Sequence, residues 1–272
     1  VAAGNIFMGM TESPVLIKNY LPTMNRSEIF LVMVSGMGTI AGSVMGTYIG
    51  MLGGTDPAAK VLFATHLLSA SVMAVPGSIV LAKMLCPQTE EATDHVAISG
   101  KEKENSNILD AISSGTVTGV KLMTNIAAML LVFISLVALA NYITEGVIGR
   151  YTGLNDWIVK ITDGKAQGLT FQFILGVITS PFMWLIGVPS QDIMLVGSLL
   201  GQKTILNEFV AYFQLQQWKD AGLFMYEKSI LMSTYILCGF ANISSIGILL
   251  GGLGVLAPEK RGLISRIGVP AM

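Results

Sequence analysis

The chain has 272 residues, of which 52% are hydrophobic and only 12% charged, with a net charge of −1 and a mean hydropathy of +0.66. Soluble domains carry about twice that charged fraction, so the composition argues against a water-soluble enzyme, and the near-neutral charge leaves no electrostatic footing for nucleic acid. Two cysteines, Cys86 and Cys238, stand far apart without metal spacing and read as small core residues, not as a disulfide or zinc framework.

Uncharged runs cover 29–55, 61–82, 122–144, 166–191 and 229–258. A helix needs roughly 20 such residues to cross a bilayer. The chain begins inside an apolar segment without an initiator Met and stops shortly after a basic turn, which leads us to expect an internal piece of a longer polytopic protein. In residues 1–25, two short apolar stretches flank Gly9-Met10-Thr11-Glu12-Ser13-Pro14. Neither half is long enough to span, so the segment is expected to be a re-entrant hairpin. Ser27 is the expected cap of the next helix.

Residues 29–54 form a span in which Gly36, Gly38, Gly42, Gly46, Gly50, Gly53 and Gly54 recur, with Thr39 and Ser43 near the middle. Small residues serve close helix packing. They also mark broken helices whose freed carbonyls bind a cation, and composition does not choose between the two. Residues 58–85 are a more ordinary span containing Pro76-Gly77 and a lone His66, and 87–108 are hydrophilic. An amphipathic interfacial helix is expected at 109–121, a conventional span at 122–144 and a polar stretch at 146–166. Residues 166–202 are broken near the middle by Gly187-Val188-Pro189-Ser190-Gln191-Asp192 and read as a second hairpin. Asn207-Glu208-Phe209 follows within an apolar run, and the span 229–257 carries Phe240-Ala241-Asn242-Ile243-Ser244-Ser245 at its centre. A broken hairpin thus precedes a polar-interrupted span twice, the pattern that points to a transporter's central site.

Glu12 and Glu208 are carboxylates in apolar surroundings, where a charge costs at least about 2.5–3.5 kcal/mol. Each is therefore a functional candidate, the alternative being an ion pair that locks helices. Asn242 and Ser245 are three apart and share one helix face. With the carboxylates they suit a polar solute rich in hydroxyls. No Ser/His or metal-ligand cluster supports an intramembrane enzyme, and no enzymatic cofactor is expected.

The strings Asn5-Ile6-Phe7-Met8-Gly9-Met10-Thr11-Glu12-Ser13-Pro14, Thr39-Ile40-Ala41-Gly42-Ser43-Val44, Gly187-Val188-Pro189, Asn207-Glu208-Phe209-Val210-Ala211-Tyr212 and Cys238-Gly239-Phe240-Ala241-Asn242-Ile243-Ser244-Ser245 resemble, in order, motifs of the concentrative nucleoside transporter family. The resemblance implies an all-α polytopic membrane fold with two re-entrant helical hairpins, broken transmembrane helices, a scaffold helix and a transport domain, assembled as a homotrimer in the bilayer. It implies a first hairpin and broken helix at 1–57 and a transmembrane helix at 58–86. A hydrophilic loop with an interfacial helix follows at 87–121, a scaffold helix at 122–145 and an interfacial linker at 146–165. The second hairpin with two broken helices is expected at 166–257, with the hairpin itself at 168–202, and a basic loop at 258–272. Earlier scaffold helices, the first part of the transport domain and a last helix are expected to lie outside this chain.

By the same resemblance, Thr11 and Glu12 bind the nucleobase and Val44 lies beside it. Glu208, Asn242 and Ser245, with Phe240 next to them, bind the ribose. Asn5, Met8, Thr39 and Ile40 hold sodium, Met8 and Ile40 through backbone carbonyls. Met10 departs from the Gln common in the family, which puts base preference in doubt because a thioether does not donate a hydrogen bond. The expected function is cation-coupled uptake of nucleosides, sodium favoured over protons, across a bacterial inner membrane, with no nucleic acid partner. The alternatives are a proton-coupled symporter of the same family and a membrane recognition or gate module that does not transport.

Overall fold

A backbone in hydrocarbon must satisfy its own hydrogen bonds, and helices do this within one segment. The computed structural model describes residues 1–90, 107–162, 164 and 166–272, and among them there are helices and turns but no strand. The chain divides into two units, Val1–Val96 with Gln172–Met272, and Ala97–Phe171.

The first unit opens on two 3₁₀ turns, Gly4–Ile6 and Ser13–Ile17, joined by irregular backbone. Helix α1, Arg26–Gly38, starts at Asn25 and not at the expected Ser27. Asn25 accepts from the Glu28 amide at 3.0 Å while the Glu28 carboxylate accepts from the Asn25 amide at 2.9 Å, a reciprocal capping box. The Ser27 hydroxyl is committed elsewhere: it donates to the Cys86 carbonyl at 2.6 Å and accepts from Lys83 at 2.9 Å. Extended backbone at Thr39 and Ala41 separates α1 from α2, Gly42–Gly53. The two together run 28 residues, roughly 40 Å at 1.5 Å per residue. Helix α3, Pro57–Leu85, continues through Pro76 and packs against both halves. Its Val61, Leu68, Val72, Met73, Val80 and Leu81 are exposed apolar side chains, as contact with lipid requires.

In the second unit, α4 runs unbroken over Ile108–Asn141 from its cap at Asn107. An interfacial helix at 109–121 separate from a span at 122–144 is not seen, because neither proline nor a new cap interrupts the segment. Most of the expected hydrophilic loop, 91–106, lies outside the described residues. π-helical turns at Tyr142–Gly149 lead to α5, Arg150–Thr152, and, past left-handed Gly153, to α6, Leu154–Ile161.

Back in the first unit, α7, Phe171–Leu185, and α8, Ile193–Ile205, form an antiparallel pair. Glycine allows the close approach: a Cβ on Gly197 would lie 3.0 Å from the Gly176 carbonyl. Buried Asp192 ends the turn between them and accepts from the amides of Met225 and Tyr226 at 3.0 and 3.1 Å. Then follow α9, Glu208–Asp220, α10, Glu227–Leu237, and α11, Ile243–Leu256. The expected basic loop over 258–272 is a 3₁₀ turn, Pro258–Lys260, and a helix, α12, Arg261–Ala271. Ile264, Ile267, Gly268 and Ala271 recur at helical spacing and are buried, a stripe outweighed in composition by Arg261 and Arg266.

Two larger apolar clusters form the core of this unit, beside a small third one of Met183, Val188 and Val196. One joins Met10 and Leu21 of the N-terminal segment to α1, α11 and α12. The other joins Ile40 and α2 to α3, α8, α9 and Leu237. Phe240, between α10 and α11, packs on both.

Candidate functional site

Breaks in helices α1–α2 and α10–α11 expose backbone groups that intact helices would satisfy, and the polar residues gather there. The second break follows from local geometry at Gly239, whose φ of +142° disfavours side chains. A Cβ there would lie 3.0 and 3.1 Å from the carbonyls of Met37 and Gly38, so the two breaks are in direct contact.

Glu208 opens α9 behind its cap Asn207, which accepts from the Val210 amide at 2.9 Å. The positive end of the helix favours a carboxylate at this place. Glu208 is buried and accepts from the Asn242 amide at 2.9 Å, with the Tyr48 hydroxyl farther away at 3.4 Å. Asn242 caps α11: its side-chain oxygen accepts from the Ser245 amide at 2.9 Å and from the hydroxyls of Ser244 and Ser245 at 2.6 and 3.0 Å. These bonds orient the amide so that its NH₂ faces Glu208. The Tyr48 ring stacks on Tyr212 at 4.1 Å between centroids, and the Tyr212 hydroxyl donates to the Thr234 carbonyl at 2.8 Å. Glu208, Asn242 and Ser245 thus meet in one buried cluster, with Phe240 on the same break and half-buried Val44 packed on the second apolar cluster.

At the first break, Asn5, Thr39 and Ile40 are buried. The Thr39 hydroxyl donates to the Asn5 carbonyl at 3.1 Å, and the Gly42 amide donates to the Phe7 carbonyl at 3.1 Å, which seats residues 5–8 against the break. The Asn5 amide lies 3.5 Å from the Ser35 hydroxyl, while its side-chain oxygen is buried without a partner. Met8 is half-buried on the same segment. An orphaned acceptor among hydroxyl and carbonyl oxygens fits a hard cation such as sodium. Among the described residues no group of three His, Cys, Asp or Glu could hold a metal ion.

Thr11 is half-buried, and its methyl would meet a Cβ placed on Gly252 of α11 at 3.0 Å. Glu12 is exposed, with its carboxylate folded back over Gly9. Met10 is buried against Gly36 in the first apolar cluster, so its thioether serves packing. Sequence reasoning passed over Tyr48, Tyr212 and Lys203. Lys203 carried a signal, as a cation inside an apolar run five residues before Glu208.

Comparison with known proteins bears out the family resemblance. The family described as Na+ dependent nucleoside transporter C-terminus matches residues 66–272. The chain is similar to a transporter of Haemophilus influenzae, 39% identical over all of this chain and 60% of that protein. It is similar also to the pig sodium/nucleoside cotransporter 1, 38% identical over 99% of this chain and 40% of that protein. Among solved structures, CNTnw in an inward-facing substrate-bound state superposes with a TM-score of 0.82 at 37% identity, over 99% of this chain and 59% of that one. The chain therefore spans about 60% of the length of the first of these relatives.

Proposed function

We propose a function from the premise that the chain belongs to the Na+ dependent nucleoside transporter family, whose C-terminal description matches residues 66–272. It is an all-α polytopic membrane protein, and the relatives are transporters, not enzymes. On our reading the full protein is a sodium-coupled nucleoside importer working by alternating access. The observation that carries this is the buried set Glu208, Asn242 and Ser245, assembled from the start of α9 and the α10–α11 break.

Glu208 accepts ribose hydroxyls and Asn242 donates to them, with Ser245 completing the set and Phe240 beside it. A carboxylate keeps lone pairs free after accepting one amide bond, and the long Tyr48 contact is the one a hydroxyl would most readily replace. Thr11 and Glu12 meet the base, and Val44 packs beside it. The exposed Glu12 is free to turn toward a ligand. Sodium binds at Asn5, Met8, Thr39 and Ile40, where the unpartnered Asn5 oxygen supplies an open acceptor. Because the two breaks touch at Gly239, ordering one favours the other, which is the linkage that coupled uptake needs. Helix α4 belongs to the scaffold, the assembly is a homotrimer, and the location is a bacterial inner membrane.

The test is uptake of radiolabelled uridine and adenosine by the full-length protein in proteoliposomes, under a sodium gradient and then a proton gradient. Sodium-dependent uptake, abolished by Glu208→Gln in folded protein, is expected. Normal transport by that variant would refute the ribose assignment, and uptake with protons alone would remove the sodium site while leaving the substrate class.

A further inference from the structure

Lys203 stands in the last turn of α8 and is 6% exposed. Its ammonium donates to the Ile236 carbonyl at 2.9 Å, in the last turn of α10 just before the break. The ammonium therefore lies where the C-terminal ends of two helices converge, and both ends favour a cation. Other open carbonyls of α10 are also taken, Thr234 by the Tyr212 hydroxyl at 2.8 Å and Tyr235 by the Cys238 amide at 3.1 Å. Glu208 opens α9 five residues on, just past the corner at Leu206 and Asn207 that ends α8.

The first break is built differently. Helix α1 has no basic residue in its last turn. The group that reaches its break from the N-terminal segment is Asn5, seven residues before Glu12, and it brings an unpartnered oxygen. Lys203, five residues before Glu208, brings an ammonium to the second break. One break thus presents an open acceptor set, and the other has its acceptor already joined to a positive charge.

We infer that Lys203 is a tethered cation, filling at the α10–α11 break the role that a dissolved ion fills at the α1–α2 break, and so positions Glu208 and Asn242 for substrate without a second ion. The inference rests on the reading of the two breaks as cation and nucleoside sites. Lys203 is a positioning residue, acting through the break and through Glu208.

The test compares Lys203→Met, Lys203→Arg and Lys203→Ala in the full-length protein, by melting temperature and by equilibrium uridine binding in saturating sodium. Met keeps the volume without the charge. If Lys203 only filled space, Met would be neutral or stabilising. A tethered cation predicts that Met lowers the melting temperature and weakens uridine at least about tenfold, while Arg retains most of both. Ala is expected to fail as Met does and to recover in excess methylammonium chloride, but not in choline chloride, whose cation is too bulky for the vacated space. Wild-type melting and binding in the Met variant would overturn the inference, as would a folded Ala variant that methylammonium does not restore. Should Met fail to fold where Arg folds, the requirement for charge is met. Should the wild type bind no uridine, the nucleoside reading falls, and the melting arms judge Lys203 independently.

Discussion

Asn242 has two occupations, and one pair of substitutions separates them. Its oxygen caps α11 through the Ser245 amide at 2.9 Å, and its NH₂ donates to Glu208 at 2.9 Å. Asn242→Ala loses the cap, worth about 1 kcal/mol. It also strips a buried carboxylate of a donor, worth about 1.5–3 kcal/mol. The sum is about 2.5–4 kcal/mol, and each 1.4 kcal/mol is about tenfold in an equilibrium. Asn242→Asp keeps the cap, which a carboxylate at a helix start serves well. It sets a second negative charge at the same separation from Glu208. At an effective dielectric of about 20, that repulsion is about 6 kcal/mol before side chains move apart. Thermal melting and sodium-driven uridine uptake should therefore rank wild type above Ala and Ala above Asp. An Asp variant that melts and transports like wild type, beside a crippled Ala variant, would refute the argument and reduce Asn242 to a helix cap.

Legibility in the sequence followed how local the controlling physics was. Uncharged runs long enough to cross a bilayer marked α3 and the combined α1–α2 span because length and hydropathy are properties of the segment itself. The split of 29–54 between packing glycines and a broken helix stayed open, since both use small residues, and the extended backbone at Thr39 and Ala41 resolves it. Ser27 and Asn25 are both competent caps, yet Asn25 followed by Glu28 three residues later, ahead of an apolar run, is a local capping-box signature that the choice of Ser27 overlooked. The Ser27 hydroxyl instead meets Lys83 of α3 and Cys86 just past its end. The 187–192 turn drew attention as the tip of a broken hairpin. Yet α8, about 20 Å long, carries the chain from that turn to the next corner, at Leu206 and Asn207, where Glu208 stands. Asp192 at the turn is engaged by two backbone amides. Lys203 was missed for a related reason: a lysine at a helix end reads as interfacial until its ammonium is seen on a neighbouring helix's carbonyl.

Two further substitutions probe the contact between the breaks. Thr39→Val removes the hydroxyl that donates to the Asn5 carbonyl at 3.1 Å while keeping the side chain's shape. The sodium concentration for half-maximal uptake should rise about tenfold, the cost of one lost polar contact, with uridine affinity at saturating sodium little changed; an unaltered sodium dependence would exclude Thr39 from the cation site. Gly239→Ala acts from the other side. Its Cβ would meet the Met37 and Gly38 carbonyls at 3.0 and 3.1 Å, and both neighbours are backbone, which cannot swing aside as a side-chain end can. The φ of +142° adds strain, about 1–3 kcal/mol for a residue with a side chain. Both terms relax if the breaks separate, so the variant should lose sodium stimulation and nucleoside binding together, although residue 239 belongs to neither proposed ligand set. A variant that loses nucleoside binding yet keeps wild-type stabilisation by sodium, measured as the sodium-dependent rise in Tm, would show that the breaks work independently and that coupling runs by another route.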